Sequence, residues 1–150
     1  RWVPLDGWCC DNDNIGAVHS MTYPPSSDVT ALVLLGHGSR DPLWRGPIEN
    51  LADRIKRLAP DQTVRCAYLE WSEPDLTAAV KELISLGHTR IRLFPLFLGM
   101  GKHAREDLPE LVQNLRDQHP SLELHVLPSA GEQPQVLDLL AQVALQRPTS

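Results

Sequence analysis

Three side chains able to ligate a metal and to move protons recur at even spacing along this chain. His37, Glu70 and His103 stand 33 residues apart. Two imidazoles and a carboxylate suit a borderline divalent ion such as cobalt, nickel, iron or zinc. Three protein ligands leave coordination positions open, which favours catalysis over a closed structural site. Each residue also has a plainer reading. A histidine after a strand is often a hydrogen-bonded structural residue, and Glu70 could cap a helix beginning near Asp75. Their concurrence at matching places along the chain favours one shared site.

The flanking residues extend that reading. His37 sits in Gly36-His37-Gly38-Ser39-Arg40-Asp41-Pro42, and His103 follows Gly99-Met100-Gly101-Lys102. The glycines suit sharp turns and close approach of the backbone to a ligand. Arg40, Arg45, Lys102 and Arg105 gather near these loops on a chain of net charge −5. Basic residues beside one cleft of an acidic protein point to an anionic ligand held through carboxylates or phosphates.

The elements that must position these residues alternate regularly. Residues 31–35 form a continuous apolar run, the pattern of a strand covered on both faces. Ile48, Leu51, Ile55 and Leu58 then mark one helical face over 47–58. A second strand is predicted at 64–69 and a helix at 75–86, with Gly87 as its stop. A third strand follows at 91–95. Leu108, Leu111, Val112 and Leu115 mark a helix that Pro120 cannot continue. Residues 122–127 give a fourth strand, and Val136, Leu139, Leu140 and Val143 a closing helix. Four βα units in succession predict a mainly parallel, four-stranded α/β sheet flanked by helices. Ligands bind such sheets at the carboxyl ends of the strands, where His37, Glu70 and His103 fall.

Composition bounds the function. With 150 residues, 42% hydrophobic and 22% charged, the chain suits one domain with a true core. Its acidity argues against nucleic-acid binding, and no apolar run approaches the roughly 20 residues of a membrane span. Cys9, Cys10 and Cys66 form no C-x-x-C pair, so a reducing, cytoplasmic setting is expected. Residues 1–29 lack periodicity and are read as an N-terminal extension, disordered or loosely packed, before a domain at 30–150. His88, His119 and His125 are read as structural or surface residues.

Three stretches together resemble the sirohydrochlorin chelatase family. They are Leu34 to Pro42, Ala67-Tyr68-Leu69-Glu70 with Glu73-Pro74-Asp75-Leu76, and Pro95-Leu96-Phe97-Leu98 leading to Gly101-Lys102-His103-Ala104-Arg105-Glu106-Asp107-Leu108-Pro109. The family comprises small, ATP-independent chelatases of tetrapyrrole biosynthesis, and the likeness runs from about Ala31 to the chain's end. The resemblance implies a chelatase-like fold with flavodoxin-like strand order. It implies insertion of Co²⁺, or of Fe²⁺ or Ni²⁺, into sirohydrochlorin for cobalamin or siroheme, with no cofactor beyond the substrate metal. It places the metal-binding and catalytic residues on His37, Glu70 and His103, and implies a homodimer with the cleft between subunits. Ser39, Arg40, Arg45, Lys102 and Arg105 are then expected to bind the substrate carboxylates. Two other readings are a non-catalytic metal or tetrapyrrole carrier and a hydrolase using Ser39 with His103. The second lacks the G-x-S-x-G context of a nucleophile elbow.

Overall fold

The computed structural model describes residues 30–146. The expectations placed on residues 1–29 lie outside them. Strand β1 (Thr30–Gly36) leads through a short 3-10 turn to helix α1 (Gly46–Leu58). Strand β2 (Thr63–Tyr68), helix α2 (Leu76–Ser85), strand β3 (Arg90–Pro95) and helix α3 (Lys102–Gln118) follow. Strand β4 (Glu123–Val126) and helix α4 (Pro134–Leu145) complete the order. The sheet is parallel throughout, in the order β2-β1-β3-β4.

The central strand shows why its sequence reads as one apolar run. Leu34 pairs in register with Cys66 on one side and with Phe94 on the other. Ala31, Val33 and Leu35 face a core shared with α2 and α3, all fully buried. Leu32 and Leu34 face a second core built on α1, with Ile48, Ala52 and Tyr68. Both faces of β1 are therefore covered, as an interior parallel strand requires.

Helix α2 starts where Asp75 accepts the Ala78 N–H at 2.7 Å, so Asp75 and not Glu70 caps this helix. That frees Glu70 for another task. The chain passes from β1 outward to β2 and then returns to β3 on the other side of β1. The strand order thus reverses between β1 and β3, where a crevice opens at the carboxyl ends.

Helix α4 departs from the expectation of a packed closing helix. It buries none of its residues, and Leu137, Leu139, Leu140 and Val143 are all more than two-fifths exposed. Its apolar spacing is that of a packing helix, but no described element of this chain covers it. No described helix is long and apolar enough to cross a membrane.

Candidate active-site cleft

The β1–β2 ladder continues beyond the strands into the site. The Leu69 N–H donates to the Gly36 carbonyl at 3.1 Å, and the Glu70 N–H to the His37 carbonyl at 2.9 Å. Two chemically active residues from different βα units are thereby fixed to one another through backbone. Gly38 makes this approach possible. Its φ is 102°, and a Cβ there would run into the carbonyl oxygen of Glu70. Gly36 serves differently from the expectation of approach to a ligand. It is buried, and a Cβ there would collide with Ile48 and crowd Trp44 and Tyr68.

The His37 side chain is exposed and meets the ring of Phe97 edge-on, with centroids 6.3 Å apart. Beside it opens a cavity of about 300 Å³ lined by His37, Glu70, Asp107, Glu110 and Asn114, with apolar walls from Leu69 and Leu111. The carboxylates of Asp107 and Glu110 were not anticipated. Their signal lies in the spacing of α3, where residues 104, 107, 111 and 114 follow one stripe of a 3.6-residue helix.

His103 belongs to that stripe as the i−4 neighbour of Asp107, but it is the second residue of α3 and does not line the cavity. It is exposed, one helical turn before Asp107. Among the described residues no group of three or more His, Cys, Asp and Glu lies close enough to hold one ion. The expected set of His37, Glu70 and His103 is therefore divided in this arrangement. Two members share the cavity, and the third lies outside its lining.

The turn after β2 carries further structure. The Ser72 N–H donates to the Glu70 carbonyl at 2.7 Å, an i to i+2 bond that makes a γ-turn centred on Trp71. Trp71 has φ of 60°, a left-handed conformation that costs a bulky residue about 1–3 kcal/mol. The turn is clamped from outside, since the Ser72 hydroxyl donates to the Ser39 carbonyl at 2.9 Å and accepts the Ser39 N–H at 3.3 Å. Trp71 is 63% exposed. Its indole N–H donates to Oε2 of Glu70 at 3.0 Å, and the Arg40 guanidinium lies 3.9 Å from its ring centroid.

The basic residues divide as well. Arg40 and Arg45 stand on the β1–β2 side, Arg45 reaching over the Tyr68 ring at 5.5 Å. Lys102 lies 4.0 Å from Glu106 on exposed helix. Arg105 faces a different cavity of about 910 Å³ on the other flank of α3, shared with Arg116 and His125. The four cations do not ring one cleft, because Arg105 is two residues past His103 and so about 200° around the helix. Ser39 accepts the Asp41 N–H on its hydroxyl at 3.1 Å. That is turn chemistry, and it argues against a nucleophile.

Beneath the site, burial pushes the Tyr68 phenol above its usual value, with Cys66 and Glu49 adding to the effect. Its hydroxyl is buried with no hydrogen-bond partner among the described residues. Burial likewise raises the Cys66 thiol, keeping it protonated and a poor ligand.

The chain is similar to several known proteins. A protein named sirohydrochlorin cobaltochelatase from Methanocaldococcus jannaschii is 39% identical over 89 residues, which is 59% of this chain and 62% of that one. Its namesake from Methanopyrus kandleri is 34% identical over 84 residues, 56% and 59% of the two chains. The chain thus matches about three-fifths of the length of these relatives. Among solved structures, a cobalamin (vitamin B12) biosynthesis CbiX protein from Marinobacter aquaeolei superposes with a TM-score of 0.67 at 28% identity, covering 77% of this chain and 93% of that one. SirB from Bacillus subtilis with Fe³⁺ shares the fold with a TM-score of 0.64 at 23% identity, covering 75% of this chain and 45% of that one. The CbiX family model matches residues 31–147, nearly the whole described chain, and the chain belongs to the CbiX family.

Proposed function

We propose that this chain inserts a divalent metal ion, Co²⁺ first and Fe²⁺ or Ni²⁺ next, into sirohydrochlorin. The observation that carries this is the backbone bond joining His37 to Glu70 at the edge of a cavity whose other polar walls are Asp107 and Glu110. The names of the two methanogen relatives support the substrate.

The chemistry requires that a cation be attracted, held loosely and released, while two pyrrole N–H protons depart. An acidic cavity attracts the cation. His37 and Glu70 both line it, and an imidazole and a carboxylate can accept protons. Incomplete coordination by this chain leaves the ion free to pass to the macrocycle nitrogens. Arg40 and Arg45, on the flank nearest Glu70, meet the peripheral carboxylates, and Lys102 lies at the head of α3 beside His103.

Assembly as a homodimer belongs to this reading. The chain accounts for 45% of the SirB chain, so a second copy supplies a lobe of matching size. Helix α4 offers it an apolar surface in Leu137, Leu139, Leu140 and Val143. The root of α4 lies beside the loop that leads to His103, since the Gly131 N–H donates to the Phe97 carbonyl at 2.8 Å. A two-fold pair would then border the cleft. The unpaired Cys66 suits a reducing cytoplasm. Mixing the protein with sirohydrochlorin and each metal tests the reading through the visible spectrum. Catalytic turnover supports it, and one-to-one binding without turnover assigns a carrier instead.

A further inference from the structure

We propose that Trp71 is a positioning residue for this reaction, setting Glu70 and Arg40 in place with one side chain; the proposal rests on the insertion reading above. Two separate contacts converge on it. The indole N–H donates to Oε2 of Glu70 at 3.0 Å, and the opposite resource of the same ring, its π face, holds the Arg40 guanidinium at 3.9 Å. The carboxylate that accepts a proton and the cation that meets a substrate carboxylate are thereby held at a fixed separation.

The backbone gives a third, independent reason. A bulky residue at φ of 60° is rare, and glycine or asparagine would fill a γ-turn there with less strain. The strain is maintained from outside by Ser72 bonding both the N–H and the carbonyl of Ser39. The Glu70 carbonyl against Gly38 closes the same clamp. Strain held by surrounding structure at a chemically active turn is the mark of a pre-set geometry. Burial does not explain the tryptophan, because its ring is 63% exposed. The exposed ring stands between the acid and the cation, open to a flat macrocycle carrying carboxylates.

Trp71→Phe keeps the ring face and removes the N–H. Trp71→Gly removes both contacts and relieves the backbone, so folding is safe. Trp71→Phe is expected to lower kcat about five- to tenfold, the loss of one solvent-exposed hydrogen bond, with KM within about twofold. Trp71→Gly is expected to lower kcat equally and also to raise KM about two- to fivefold, the cation–π share. A ¹⁵N–¹H spectrum gives a readout independent of turnover. The indole resonance that disappears in Trp71→Phe should move in Glu70→Gln and again in Arg40→Ala. Unchanged kcat in both Trp71 variants, or an indole resonance indifferent to Glu70→Gln, overturns the proposal. An equal KM in the two variants overturns its Arg40 half. Absence of insertion by the unaltered protein with all three metals would refute the functional reading instead, and the indole resonance would still decide the geometry.

Discussion

Glu70 hydrogen-bonds through its backbone N–H to the carbonyl of His37 at 2.9 Å, joining two residues that are 33 positions apart in the chain. The bond lies one step beyond the last paired residues of β1 and β2, Gly36 and Tyr68. Backbone pairing therefore reaches past the strands, and one hydrogen bond ties the two loops that carry these side chains. Such a tie fixes the spacing that the proposed proton-accepting pair needs.

Gly38→Ala tests that union. The new Cβ would meet the Glu70 carbonyl at a backbone φ of 102°, so the two loops must separate. A loss of at least about 2 kcal/mol in stability is expected, together with most of the insertion activity. Urea denaturation and the spectral assay report the two losses. A stable and active variant would show that the close approach is dispensable.

His37→Ala separates chemistry from folding. The side chain is exposed and its one ring contact is with Phe97, so stability should fall by less than about 1 kcal/mol. Insertion should fall at least about a hundredfold, the usual share of a positioned base. His103→Ala should behave similarly if His103 joins the site from the first turn of α3. Near-normal turnover in His103→Ala would confine the site to the walls seen in one chain.

Much of this was legible beforehand, and the gaps have physical causes. The run at 31–35 announced a strand covered on both faces, and its register shows both cores. His37 and Glu70 were placed by their position after strands, since parallel α/β sheets bind at that end. The Trp71 turn was hidden because tryptophan carries none of the usual signals for positive φ. Ser72 was invisible for a related reason, its partner Ser39 lying 33 residues away. The apolar pattern of α4 reported a face to be covered and said nothing of what covers it. The pairing of Arg105 with Arg40 failed on helix geometry alone, since residues 103 and 105 point to different flanks of α3.

Tyr68→Phe should not weaken the protein. The phenol oxygen is buried with no partner among the described residues, and removing an unsatisfied polar atom without changing the ring is neutral or favourable by up to about 1 kcal/mol. The edge-on contact with Trp44 at 6.0 Å survives the change. Thermal melts should show an equal or higher Tm. A clear drop would mean that the hydroxyl has a partner in solution.

Acid should loosen the root of α4. The Ser129 hydroxyl, and then its backbone N–H, donate to the Glu132 carboxylate and hold it below the ordinary value of 4.5. A carboxyl with a depressed native pKa adds stability above its unfolded value and loses it as pH falls through the native one. Ser129→Ala removes the larger cause, so its stability should change less than that of the unaltered protein from about pH 5 to about pH 3. Equal slopes in Tm against pH would contradict the assignment.

The most direct test of the whole account is the visible spectrum of sirohydrochlorin mixed with catalytic amounts of the protein and Co²⁺. The expected result is many equivalents of cobalt-sirohydrochlorin formed per protein chain, faster than the uncatalysed background, with the acceleration lost in Glu70→Ala. A rate equal to background, or an acceleration that survives Glu70→Ala, would contradict the account.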